Sequence, residues 1–206
     1  MMGALVALAL WGGAAQAGEW GFWVGGIAVD ETAADAVTAK ATAQASGRRA
    51  AWERFLTREA PEAAARLRRL PESELDGLIE GFEVAGEEIT ARRYRATLKV
   101  LFRPEAVRAL LARELGPGET IDVRARFASP ADWAELRRRL SAIPVVSRVE
   151  LRGLGAGEAR LALTLLGGAA RAESAFAGAG LVLTTDGALR SLALAPSPTA
   201  EDRASD

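Results

Sequence analysis

Residues 92–115 read RRYRATLKVLFRPEAVRALLAREL, and this stretch carries the clearest structural pattern in the chain. Apolar side chains alternate from Tyr94 to Phe102, which predicts a β-strand with one buried and one solvated face. Pro104 has no N–H to donate to a strand ladder, but its fixed backbone suits the first turn of a helix. Leucines then recur at helical spacing up to Leu115. The stretch therefore predicts a strand, a sharp turn and an amphipathic helix.

The segments before this stretch predict the rest of a first α+β unit, which spans residues 18–116. An aromatic and β-branched run at residues 20–29 predicts a strand, in which Gly25–Gly26 is expected to form a bulge. Asp30–Thr32 is then expected to cap a long, alanine-rich helix that ends near Thr57.

Two shorter elements complete this first unit. Ser73 and Asp76 have the spacing of a capping box and predict the start of a short helix. Residues 82–89 predict a second strand, which turns back into the strand at 94–102. This order of elements is typical of an α+β layer, in which helices pack on one face of an antiparallel sheet.

A second α+β unit, residues 119–195, is predicted beyond the Gly116–Gly118 linker. Ser129 is expected to cap its first helix, and the glycine-rich run at residues 153–157 is expected to form a turn between two strands. The predicted order is ferredoxin-like, βαββαβ, with one extra strand. Residues 196–206 are polar and contain prolines, so they are expected to form a disordered tail.

The composition of the 206-residue chain excludes several classes of site. There is no cysteine and no histidine, which removes thiol and imidazole nucleophiles and the zinc, haem and iron–sulfur sites built on those ligands. The net charge of −1 gives no overall field that attracts nucleic acid. We therefore expect a non-enzymatic protein with no cofactor, no metal and no nucleic-acid partner.

The N-terminus resembles an export signal. Gly3–Trp11 is a short apolar run, and Ala15–Ala17 has the small-x-small pattern at which signal peptides are cleaved. Removal of residues 1–17 would leave a periplasmic protein that is not integral to the membrane. No lysine or arginine precedes the apolar run, so the signal is weak or the true start codon lies upstream. The alternative is a buried apolar N-terminal segment.

Three motifs of the first unit, AKATAQASGRRAAWERFLTR, LIEGFEVAGEEIT and RRYRATLKVLFRPEAVRALL, resemble a known bacterial family. Over about residues 20–115 the chain is similar to the domain-of-unknown-function family 2066. The resemblance implies an α+β fold and export to the envelope of a Gram-negative bacterium, and it supplies no catalytic residues. The chain departs from the longer members of the family because it is short after Leu115.

Aromatic residues near the start of the mature chain are one candidate interaction surface. Trp20, Phe22 and Trp23 lie close together in the sequence, and on an edge strand they would form a partner-binding face. The alternative is core packing, which is favoured because one face of that strand must be buried.

A basic run in the second unit is the other candidate interaction surface. Arg137 and Arg138 follow Trp133 on a predicted helix, and such a grouping can contact nucleic acid, anionic lipid or an acidic partner. The net charge disfavours nucleic acid. Trp133 falls in the apolar stripe of the helix, so we expect it to belong to the core.

Two further patterns lack the context that chemistry requires. Glu87 and Glu88 are adjacent on a strand, where neighbours point to opposite faces, so they cannot form one acid–base pair. We expect either of them to pair with Arg92 or Arg93 across the hairpin instead. Gly153–Gly157 resembles a nucleotide loop, but a phosphate loop is followed by a helix, and here both neighbours are predicted strands.

These observations favour an exported, non-enzymatic interaction or assembly module whose partner is another envelope protein. The alternative is a periplasmic module that binds a small ligand or glycan in a groove between the two units. A hydrolase that uses carboxylates alone is the third hypothesis, and no cleft motif supports it.

Overall fold

The computed structural model of the chain describes residues 22–187 and 189–196. Two sheets with packed helices organise these residues, which confirms the predicted α+β architecture of two modules. The first sheet contains the strands β1 (Trp23–Thr32), β2 (Ile79–Ile89) and β3 (Arg93–Phe102). They lie in the order β1-β3-β2, and both pairs are antiparallel, so the alternating stretch found in the sequence forms the central strand.

Four helices of the first module lie within the described residues. They are α1 (Ala36–Glu59), α2 (Pro61–Leu67), α3 (Glu72–Leu78) and α4 (Pro104–Leu115). The long helix α1 packs against β1 and β3. Within the residues that the structure describes, no helix is both long enough and apolar enough to cross a bilayer.

The prediction that Asp30–Thr32 caps the long helix is wrong. These residues continue β1, because Asp30 lies on the solvated face and accepts hydrogen bonds from Arg93 of β3 at 2.6 and 2.7 Å. Asp35 caps α1 instead, and its Oδ1 accepts from the backbone N–H of Thr38 at 2.9 Å. The predicted bulge at Gly25–Gly26 is confirmed by a shift in strand register and by the positive φ of Gly26.

The predicted capping box at Ser73 is also wrong. Helix α3 begins at Glu72, directly after Pro71, and no side chain caps its N-terminus. Pro71 already holds the extended backbone that precedes a helix, with ψ at 149°. The helix therefore starts one residue before the serine that was expected to cap it.

Aromatic side chains form the centre of the first core. Trp52 and Phe55 of α1 stack with ring centroids 5.4 Å apart, and Phe102 of β3 packs against both rings. All three side chains are fully buried. The indole N–H of Trp52 donates to the carbonyl oxygen of Leu67 at 2.8 Å, which satisfies the one polar atom of this cluster and fixes α2 beside α1.

Gly47 allows α1 to lie close to the sheet. A Cβ atom at this position would be 2.5 Å from Cδ1 of Leu98 and 2.8 Å from Cγ1 of Val29. The buried positions on either side, Ala43 and Ala51, are also small. A stripe of small residues therefore sets the distance between the helix and the two strands beneath it.

The second sheet contains five strands. They are β4 (Glu119–Arg126), β5 (Val146–Gly155), β6 (Glu158–Leu165), β7 (Leu181–Asp186) and β8 (Leu189–Leu194). Two helices, α5 (Pro130–Ala142) and α6 (Ala169–Gly178), complete the predicted order of elements. The strands lie in the order β5-β6-β4-β8-β7. The extra strand β8 is therefore inserted between β4 and β7, and it runs parallel to β4.

Local signals in the second module have mixed outcomes. Ser129 caps α5 as predicted, since its Oγ accepts from the backbone N–H of Asp132 at 3.1 Å. The predicted turn at residues 153–157 is shorter than expected. Gly153 and Gly155 belong to β5, and only residues 156–157 form the turn into β6.

The two modules share side-chain contacts. Leu166, which follows β6, is buried in the core of the first module. The guanidinium of Arg171 on α6 donates to the carbonyl oxygen of Glu59 and forms an ion pair with Glu62. Arg108 of α4 also donates to the carbonyl oxygen of Ser141 at the end of α5.

The close approach at Gly47 predicts the sign of two matched substitutions. Gly47→Ala is expected to lower the free energy of unfolding by about 1–3 kcal/mol, because the added methyl group overlaps Leu98 and Val29. Gly77→Ala, in α3, has no atom within 4 Å of the added carbon and is expected to be neutral or to stabilise by up to ~1 kcal/mol. Urea unfolding of both variants measures the difference. A neutral Gly47→Ala would contradict the close packing.

Candidate interaction surfaces

Exposed apolar side chains concentrate on two edge strands. Nine large apolar residues are exposed in the part of the chain that the structure describes, and six of them lie on β2 or β5. Each of these strands is the last in its sheet, so one row of its backbone N–H and C=O groups is not used by a neighbouring strand. The six residues are Phe82, Val84, Ile89, Val149, Leu151 and Leu154.

Two of the exposed residues of β5, Val149 and Leu151, line one side of a groove, which we call the α5–β5 groove. Val149 and Leu151 pair with Leu163 and Leu161 of β6, both of which are buried, so they lie on the face of the sheet that the helices cover. Helix α5 forms the opposite wall, and the groove has a volume of about 490 Å³. It is lined by Trp133, Ala134, Arg137, Arg138, Ser141, Val149, Leu151 and Leu161.

Both arginines predicted from the sequence line this groove. The guanidinium of Arg137 lies 5.8 Å from the ring centroid of Trp133. Trp133 in turn packs against Phe127, with ring centroids 5.3 Å apart, so it is only partly exposed. Arg138 donates to both carboxylate oxygens of Glu135, at 2.6 and 2.7 Å. Hydrogen bonds from Arg138 and Arg139 lower the pKa of Glu135 to about 2, so this carboxylate is ionised at neutral pH.

The opposite face of β5 is also rich in arginine. Arg148 and Arg152 flank Glu150 and form ion pairs with it at 2.9 and 2.8 Å. Both arginine side chains are largely solvated and that of Glu150 is partly exposed, so these ion pairs contribute little to stability. The edge strand therefore combines an apolar row on one face with a net positive row on the other.

Edge strand β2 has the opposite charge. Phe82, Val84 and Ile89 pair with buried residues of β3 and lie on the helix-covered face, but α1 does not extend over them. Glu83 and Glu88 lie on the other face. They form long ion pairs of 3.4 Å with Lys99 and Arg95, respectively.

Glu87 and Glu88 point to different faces, as the sequence predicted, but their expected partners are wrong. Glu87 accepts from Lys40 of α1 and from the hydroxyl of Tyr94, both at 2.7 Å, and these bonds lower its pKa. Glu88 pairs with Arg95 rather than with Arg92 or Arg93. A bulge in β2 between Ala85 and Glu88 shifts the register and moves both carboxylates away from the predicted arginines.

The three aromatic residues predicted near the N-terminus do not form one exposed face. Trp20 lies outside the described residues. Phe22 is 6 % exposed and stacks on Phe55 at 6.4 Å, so it is a core residue. Trp23 is partly exposed, and the ammonium group of Lys99 lies 4.2 Å from its ring centroid. Of the two described residues, Trp23 is the accessible one, and its ring is already covered in part by a cation.

A second groove lies between the two modules, and we call it the inter-module groove. It has a volume of about 390 Å³, and Arg58, Glu59, Arg171 and Ser174 supply polar groups to its walls. Glu59 is the one buried charged residue among those described, and Arg58 donates to its carboxylate at 2.6 Å. Burial nevertheless raises the pKa of Glu59 above its ordinary value, because desolvation outweighs the attraction of the arginines.

Comparisons with models of protein families, with curated protein sequences and with solved structures found no match to the chain. The resemblance to family 2066 therefore stays a prediction.

Sequence reasoning did not find the exposed residues of β5. Val149 and Leu151 alternate with polar residues, as in any half-buried strand, and nothing local shows that the strand lies at the edge of its sheet. The arginines Arg148 and Arg152 are the one available signal, because charged residues are common on edge strands.

The raised pKa of Glu59 predicts a pH-dependent effect of Glu59→Gln. A carboxyl group with a raised pKa favours the folded state when it is neutral, and this contribution is lost as the pH rises through that pKa. Glu59→Gln should therefore gain stability relative to the wild type between pH 4 and pH 7, as urea unfolding at both pH values would show. Glu74→Gln, at an exposed position on α3, is the control. If the stability of Glu59→Gln relative to the wild type instead falls as the pH rises, the raised pKa of Glu59 is contradicted.

Proposed function

We propose that this protein is an exported, non-enzymatic module of the cell envelope that acts through a protein–protein interaction. Export is supported by the apolar run and the Ala15–Ala17 pattern at the N-terminus, and by the resemblance to family 2066. The absence of histidine and cysteine from the sequence removes thiol and imidazole nucleophiles and the metal sites built on those ligands, which supports a non-enzymatic role.

The α5–β5 groove is the observation that carries this proposal. An extended segment of a partner can add to the free edge of β5, so that backbone hydrogen bonds provide affinity. The apolar side chains of the partner segment would contact Val149 and Leu151 in the groove. Acidic side chains would face the arginines on both sides of the strand, of which Arg137 lines the groove and Arg148 lies on the opposite face. The partner is therefore a protein with an acidic, apolar edge strand or extended segment.

Crosslinking from a single thiol tests this proposal in cells, since the chain has no cysteine of its own. Leu151→Cys, loaded with a photoreactive maleimide in the periplasm, should capture an envelope protein, which mass spectrometry of the crosslinked band identifies. Leu189→Cys is the matched control, because Leu189 is 52 % exposed and Leu151 is 54 % exposed, but Leu189 lies outside the groove.

Two results would contradict the proposal. Retention of the native protein in the cytoplasm would remove the envelope assignment. Equal capture of the same proteins from Leu189→Cys and Leu151→Cys would show that the groove has no specific partner.

The inter-module groove favours a second candidate function, which is the binding of a small ligand or glycan. A pocket at a domain boundary with a few polar groups is a common site for such ligands. Arg58 and Arg171 supply donors there, and Glu59 supplies a carboxyl group whose pKa is raised. Residues Ile143 and Pro144 provide apolar wall.

A variant in which a tryptophan side chain fills the inter-module groove tests this second function. Ser174→Trp is expected to block the inter-module groove, whereas Ala177→Trp, on the same helix but outside the lining, is the control. Thermal shift of the wild type and both variants against a panel of amino acids, sugars and short glycans is the measurement. A compound that stabilises the wild type and Ala177→Trp but not Ser174→Trp would support the function. A panel with no active compound would count against it.

A further inference from the structure

The two apolar edge strands of this chain are complementary to each other. Strand β2 carries Glu83 and Glu88 on its solvated face, whereas β5 carries Arg148 and Arg152 on its own solvated face. The two strands belong to different sheets and do not pair with each other within the chain. Each copy of the protein therefore presents one acidic edge and one basic edge.

We propose that the occupant of the α5–β5 groove is strand β2 of a second copy of this chain, so that the protein assembles head to tail. This inference rests on the proposed function, because it names the partner of the same groove. The occupant must be an extended, apolar and acidic segment, and β2, with sequence IEGFEVAGEEI, has each of these properties.

An antiparallel register brings opposite charges together along the solvated faces. If Ala85 lies opposite Glu150, then Glu83 lies opposite Arg152 and Glu88 lies opposite Arg148. The bulges of the two strands compensate in this register, because β2 has an extra residue between Ala85 and Glu88, and β5 has one between Leu151 and Gly153. The small side chain of Ala85 leaves Glu150 free to keep its arginine partners.

The same register aligns the apolar residues on the helix-covered faces. Val84 lies opposite Leu151, and Phe82 lies opposite Leu154, so that four exposed side chains would be removed from water together. Glu87 is on this face as well, the face on which α5 presents Arg137 and Arg138 beside the groove. Charge and apolar contacts therefore favour the same alignment.

The ion pairs that these residues make within one chain do not prevent the assembly. Glu83 and Glu88 are 3.4 Å from their present partners, and their side chains are 66 % and 68 % exposed. Exposed pairs of this kind are worth little and exchange readily. They can reorganise into a ladder shared between two copies, in which each carboxylate keeps a cation beside it.

The symmetry of such a contact has a direct consequence. The acidic edge of one copy binds the basic edge of the next, so an open assembly of any length keeps one unused acidic edge at one end and one unused basic edge at the other. A contact of this heterologous type produces an open filament or a closed ring rather than a symmetric dimer. Pairing of β5 with β5 about Glu150 would instead place Arg148 opposite Arg152 and Glu150 opposite itself, which is unfavourable.

Sedimentation velocity of the purified mature chain, over a concentration series at low and high salt, tests the inference. We expect species larger than a dimer at high concentration and a shift toward monomer at high salt, because the contact depends on charge pairs. Reversal of one edge, with Glu83→Arg and Glu88→Arg or with Arg148→Glu and Arg152→Glu, should weaken self-association about tenfold or more.

A mixture of the two charge-reversed variants gives the decisive test. Each reversed chain alone should stay monomeric, but an equimolar mixture should associate, because the reversed β2 of one chain then faces the reversed β5 of the other. Glu74→Arg with Glu173→Arg changes the net charge as the reversal of β2 does, but at exposed helix positions, and should associate like the wild type. Circular dichroism and thermal melting confirm that each variant is folded.

Three other results would count against the head-to-tail assembly. A wild type that stays monomeric at every concentration would overturn the head-to-tail assembly. A symmetric dimer that survives reversal of β2 would also overturn it, because β2 would then take no part in the contact. Capture of a different envelope protein from Leu151→Cys, with a monomeric wild type, would overturn this inference and leave the proposed function standing.

Discussion

The contact between α1 and the first sheet is the constraint on which the rest of the first module depends. Gly47 allows the helix to approach Leu98 and Val29 so closely that it lies directly over β1 and β3. A helix is about 10 Å wide and strands are about 4.8 Å apart, so one helix covers about two strands. The third strand, β2, is left with its apolar row partly in water, and the exposed edge follows from this geometry.

The second module reaches a similar result by a different route. The strand order β5-β6-β4-β8-β7 places β5 at one end of the five-stranded sheet, where α5 lies beside its apolar residues without closing over them. The two modules therefore expose apolar edges for separate reasons. Opposite charges on the two edges distinguish them, and this difference makes one edge a suitable partner for the other while it discourages like edges from pairing.

The sequence predicted those features that depend on nearby residues. Alternation from Tyr94 to Phe102 identified the central strand because one face of it is buried, and Ser129 identified a helix start because its cap is local. The prediction that Asp30 helps to cap α1 failed because the residue that binds its side chain, Arg93, is 63 residues away in the sequence. The α5–β5 groove depends on the order of strands in a sheet, and no local pattern around Arg137 contains that information.

Leu166 links the two modules in a way that matters for synthesis from N-terminus to C-terminus. Its side chain is 1 % exposed and completes the core of the first module, although it lies 51 residues beyond the end of α4 at Leu115. The core of the first module therefore lacks one of its buried apolar side chains until residue 166 has been synthesised. The core is complete only after β4, α5, β5 and β6 have been made. Until then, the incomplete chain exposes apolar surface that chaperones and proteases can bind, and the finished protein buries this surface.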